Sequence, residues 1–169
     1  AEGVRDGPAA RAASDYLYSH KSGKVQSTLN ILSVDLESNT LVLSRNNPAP
    51  MLLINNGSLS VLDEDSTAVG IYRDTRPVIR EVDLCSGLTA VAFSDGVVHA
   101  GTRKTQRLHV HDTVTALLRS TPSAQQMADT LMRDALYPAA YRPGAHISIV
   151  VIRVLDDPEG DPIRRTRVS

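Results

Sequence analysis

A single cysteine, Cys85, leaves the 169-residue chain with no internal disulfide and no cysteine-rich zinc centre. It lies just before a turn in "REVDLCSGLTA" with no neighbouring base to activate it, and reads as an ordinary half-buried thiol. A lone thiol suits a reducing compartment, so the expected location is the cytoplasm. Lysine and arginine do not outnumber the acids, and a net charge of -1 provides no basic field for nucleic acid. No apolar run approaches the roughly 20 residues that span a bilayer, and the opening "AEGVRDGPAARAA" reads as the middle of a motif rather than a signal peptide, so a truncated or processed N-terminus is expected. No repeat longer than a hairpin is present. With 41% apolar and 22% charged residues, the composition is that of one globular domain with a real core. The expected partners are therefore proteins or small molecules.

The first periodic segment, "GPAARAASDYLYSH", predicts a helix over Pro8–His20 with a small face suited to close packing on a sheet. "STLNILSVDLESNTLVLSRNN" alternates, turns at "ESNT" and alternates again, which is the pattern of a β-hairpin. "MLLINNGSLSVL" repeats it around Asn56-Gly57. "VIREVDLCSGLTAVAFSDG" predicts a third hairpin turning at Ser86-Gly87. The spacing then changes to three and four. Val110, Val114, Leu117 and Leu118 mark one amphipathic helix; Met127, Leu131 and Leu136 mark a second, which starts at Ser123 and ends before Pro138. "HISIVVIRVL" predicts a buried strand in the middle of a sheet. The tail over 156–169 is rich in Pro, Gly and charge and is expected to be flexible. Strand pairs followed by helices predict an α+β layered domain.

The stretch "AVAFSDGVVHAG" ends an apolar run on an acid. Asp95-Gly96 can simply turn the chain. Alternatively, a rigid strand end aims the carboxylate at a metal while glycine lets the backbone come close. The order of "AEGVRDGPAARAASD", "LSVDLESNTLVLSRNNPAPMLLI", "STAVGI" and "GLTAVAFSDGVVHAG" resembles the metal-dependent protein phosphatases (PPM), in the bacterial branch of the sporulation stage II E (SpoIIE) and sigma-factor-regulator phosphatases. The resemblance covers 1–155 as a single phosphatase domain. It implies an α/β/β/α sandwich with mostly antiparallel sheets, lacking the family's N-terminal strands.

By that resemblance, Mn²⁺ or Mg²⁺ would generate the hydroxide that attacks a phosphoserine or phosphothreonine, on a phosphorylated regulatory protein such as an anti-sigma-factor antagonist. Homodimerisation is open. Asp95 matches the family's Asp-Gly metal ligand; Glu2, the Gly3 carbonyl and His146 are the other candidates. Three positions depart from the family: Glu2-Gly3 stands for Asp-Gly, Arg5-Asp6 for Gly-His, and Ala145-His146 for Asp-Asp. Alanine offers no ligand, and histidine suits Mn²⁺ better than Mg²⁺. Two readings follow: a phosphatase with a depleted metal site, or a catalytically weak pseudophosphatase kept as a regulatory protein-binding module. A structural or redox module has no positive feature behind it. His99, His109 and His111 read as solvated, "RNNPAP" as a stiff turn rather than a partner-facing loop, and "IRRTRVS" as a solvated basic end.

Overall fold

A computed structural model describes residues 5–98, 110–136 and 146–156. Helix α1 (Asp6–Lys21) is followed by strands β1 (Leu29–Asp35), β2 (Thr40–Asn46), β3 (Met51–Asn55), β4 (Ser58–Leu62), β5 (Val78–Asp83) and β6 (Thr89–Phe93). The short helix α2 (Asp95–Val98), helices α3 (Val110–Leu118) and α4 (Ala124–Leu136) and strand β7 (Ile149–Arg153) complete the order. The strands form two antiparallel sheets, β1-β2-β5 and β4-β3-β6-β7. Helix α1 covers the first sheet, while α3 and α4 cover the second. The result is the expected α/β/β/α layering.

The burial pattern explains the layers. In β3, Leu52 and Ile54 face the helices while Met51 and Leu53 face the other sheet; in β6, Val91 and Phe93 face the helices while Ala90 and Ala92 face inward. A strand covered on both sides must be apolar throughout, which accounts for "MLLI" and "AVAF". Met127, Leu131 and Ala135 recur every fourth residue along α4 and seal the outer core. On α1 the small residues Ala10 and Ser14 are the buried ones, so the helix lies close to its sheet.

Local signals behave as expected at several points. Asn56 and Gly57 take φ of 49° and 75°, closing β3 and β4 with the turn that Asn-Gly favours. Ser123 Oγ accepts from the Gln126 N–H at 3.2 Å and Gln126 Oε1 accepts from the Ser123 N–H at 2.8 Å, a reciprocal cap on α4. Ser123→Ala is expected to lower unfolding free energy by about 1 kcal/mol, measurable as a shift in the urea midpoint at unchanged slope.

Two expectations are corrected. The segment over Val78–Phe93 is not a hairpin: the chain does turn at Cys85–Leu88, but β5 pairs with β2 and β6 pairs with β3, in different sheets. The connection crosses from one layer to the other because β6 is apolar on both faces and β5 on one. Strand β7 is not central either; among the described residues it pairs with β6 alone and is only half-buried. Its apolar run comes from packing Ile149 and Val151 under the helices and Ile152 between the sheets. The tail beyond 156, and with it "IRRTRVS", lies outside the described residues.

Candidate functional site

Strand β6 delivers Asp95 to the edge of the sandwich, where it is half-buried as the first residue of α2. The neighbours on either side are tied to the segment entering β7. The Ser94 N–H donates to the Ser148 carbonyl at 3.0 Å, and the Ser94 hydroxyl donates to the His146 carbonyl at 3.1 Å and accepts from the Ser148 N–H at 3.0 Å. A Cβ on Gly96 would overlap the His146 carbonyl oxygen and come within 3.0 Å of its carbon. Glycine is required here for close backbone approach, and no positive φ is involved. Of the predicted site residues, Asp95 and the exposed His146 are thus brought to one place. Glu2, Gly3 and Ala145 lie outside the described residues.

Asp95 also lines an open cleft of about 330 Å³ with Gln26, Ser27, Thr28, Pro48 and Ala68. Sequence reasoning missed these five as site residues. Pro48 belongs to "RNNPAP" and Ala68 to "STAVGI", so three separate motifs meet at one cleft. The wall is held by a backbone bridge in which Ser27 and Val69 exchange hydrogen bonds at 3.0 and 2.9 Å.

"RNNPAP" is a buried hydrogen-bonding hub. Arg45 is 2% exposed; its guanidinium donates to the carbonyls of Asn47 at 2.6 Å, Ala49 at 3.4 Å and Glu64, with the Glu64 carboxylate 3.8 Å away. Burial pulls its pKa below the usual arginine value, opposed by Glu64, Asp63 and Asp65. The Asn46 amide donates to the carbonyls of Thr67 and Arg76 at 2.9 and 3.1 Å, fixing the loop that carries Ala68. The Asn47 amide donates to the Phe93 carbonyl at 3.0 Å, and that carbonyl also accepts from Asn30 at 3.1 Å. The expectation of a stiff turn holds.

The oxygens that Asp95, Ser27, Thr28 and Gln26 bring to this cleft are the ligand type a hard divalent cation takes. Among the described residues, however, no group of three His, Cys, Asp or Glu side chains is placed to hold one. The fit is therefore right in kind and short in number. Asp6 is committed elsewhere: its carboxylate accepts from Ser33 Oγ at 2.6 Å and Ser44 Oγ at 3.4 Å. Arg5 is exposed at the start of α1. His111 is exposed on α3 with Asp112 3.4 Å away, while His99 and His109 lie outside the described residues. No helix among the described residues is long and apolar enough to cross a membrane.

The chain is similar in fold to the phosphatase domain of the cell-fate determinant SpoIIE from Bacillus subtilis, at 16% identity and a TM-score of 0.56, covering 90% of this chain and 69% of that one. A longer SpoIIE structure from the same organism, with a fragment of the regulatory domain, gives 18% identity and a TM-score of 0.72 over 90% of this chain and 45% of the other. The catalytic domain of the serine/threonine phosphatase PstP, solved in complex with two manganese ions, gives 15% identity and a TM-score of 0.67 over 92% and 75%. Comparison with curated protein sequences returned no match. The family model described as stage II sporulation protein E (SpoIIE) matches residues 5–155. A match of that extent takes in every motif of the cleft, and the chain belongs to the SpoIIE family of PPM-type serine/threonine phosphatase domains.

Proposed function

We propose that this domain removes phosphate from serine or threonine on a phosphorylated regulatory protein, such as an anti-sigma-factor antagonist, with a depleted metal site. The observation that carries the reading is the cleft where Asp95, Pro48 and Ala68 meet beside the entry to β7. Asp95 would hold a divalent cation, Mn²⁺ in preference to Mg²⁺, assisted by Glu2, the Gly3 carbonyl and His146. When bound, such a cation supplies a hydroxide near neutral pH and charge for the leaving oxygen. The chain's own contribution is placement: Ser94 and Gly96 hold the strand end carrying Asp95 against the 146–148 backbone, and Gln26, Ser27 and Thr28 line the same cleft with uncharged side chains. A phosphate dianion brought beside Asp95 is repelled unless a cation lies between them.

Ala145, which offers no ligand where the resemblance implies an acid, favours a second reading, in which the fold serves as a regulatory protein-binding module. The two are separated by assaying a phosphoserine peptide across Mn²⁺ concentrations. Slow, Mn²⁺-dependent turnover is expected, and the double substitution Ala145→Asp with His146→Asp is expected to raise it by more than about 100-fold by completing the ligand set. No Mn²⁺-dependent hydrolysis by either protein would leave the binding-module reading.

A further inference from the structure

Strand register leaves one carbonyl beside the site without its ladder partner. Leu52 pairs with Val91, so continuing β3 and β6 sets Pro50 opposite Phe93. The Ser94 N–H bonds toward β7, and because hydrogen-bonding direction alternates along an antiparallel strand, the Phe93 carbonyl faces β3. Proline has no N–H to give it. Two side chains take over: Asn30 of β1 donates to this carbonyl at 3.1 Å and Asn47 of the β2–β3 connection at 3.0 Å. Asn47 is 1% exposed, and its Oδ1 accepts from the Ala49 N–H at 2.9 Å, so its amide cannot rotate without losing both bonds.

We propose that Asn47, together with Asn30, is a positioning residue that holds the Phe93 carbonyl and thereby aims Asp95 into the cleft. The carbonyl lies two residues before Asp95 and receives one donor from the other sheet and one from the loop carrying Pro48. Beyond Phe93, the Ser94 bonds to His146 and Ser148 fix the opposite side of the strand. Asp95 therefore leaves a strand end clamped from both sides. A carboxylate displaced by about an ångström binds a cation markedly less well. This inference rests on the phosphatase reading above.

The test is Asn47→Asp, which keeps the acceptor for Ala49 and turns the amide donor into an oxygen facing the Phe93 carbonyl. Asn30→Leu, at a half-buried position, is the second variant, in case the first does not fold. Mn²⁺ affinity is measured by titration with electron paramagnetic resonance at a temperature where each protein is fully folded, and hydrolysis of a phosphoserine peptide is followed in parallel. The expected result is Mn²⁺ binding weakened about 10–100-fold, as for other groups that orient ligands, with kcat reduced and the KM for the peptide unchanged at saturating Mn²⁺. Amide exchange over 94–97 is expected to speed up. Variants that bind Mn²⁺ as tightly as the wild type overturn the positioning role while leaving the phosphatase reading intact. A wild type that neither binds Mn²⁺ nor hydrolyses the peptide overturns both.

Discussion

Asp95→Asn is expected to weaken Mn²⁺ binding by more than about 100-fold and to reduce phosphopeptide hydrolysis at least in proportion. The effect exceeds that of losing a group that merely orients a ligand, for which about 10–100-fold is typical. The substitution preserves shape, so packing changes little. It removes the acidic side chain that lines the cleft among the described residues, and an amide oxygen carries too little charge to replace it. Titration of Mn²⁺ into wild type and variant, with thermal unfolding as a control for folding, checks this. Equal affinities would remove Asp95 from the metal site.

Gly70→Ala is expected to be strongly destabilising. Gly70 has φ of +96°, and a Cβ there would lie 2.5 Å from Leu17 Cδ2 of α1 and 2.7 Å from the Val25 carbonyl oxygen. Its N–H donates to Ser14 Oγ at 3.0 Å, and Ser14 Oγ donates in turn to the Tyr72 carbonyl at 3.3 Å. The loop carrying Ala68 and Val69 is thus packed closely onto Leu17 of α1 and the Val25 carbonyl. Backbone strain of about 1–2 kcal/mol adds to about 1–3 kcal/mol of overpacking, equivalent to a fall in Tm of roughly 5–20 °C for a domain of this size. Gly57→Ala is the control: φ is +75°, but nothing lies within 4 Å of the added carbon, so only the strain contributes. Similar losses for the two would show that the contact with Leu17 is not what demands glycine. Because Val69 also bridges Ser27, Gly70→Ala is further expected to loosen the cleft wall.

What could be read from the amino-acid order was local or was carried by motif order. Asn56-Gly57 closes a hairpin with its own backbone angles, Ser123 starts α4 as its cap, and Met127 and Leu131 share the buried face expected from helical spacing, with Ala135 rather than Leu136 completing it. The α/β/β/α layers and the family followed from those elements and from the succession of motifs. Tertiary structure decided which strands share a sheet. Val78–Asp83 and Thr89–Phe93 read as a hairpin because each alternates or is apolar around a turn, yet they lie in different layers, since only distant partners determine which face each must bury. The apolar run of β7 reads as central for the same reason. At the site, Asp95 was legible beside its glycine. The reason for that glycine, the His146 carbonyl lying against it, was not, and neither was the pairing of Asn30 with Asn47 on the Phe93 carbonyl across 63 and 46 residues of sequence. Local preference acts over a few residues, whereas a cleft is made by groups that only packing brings together.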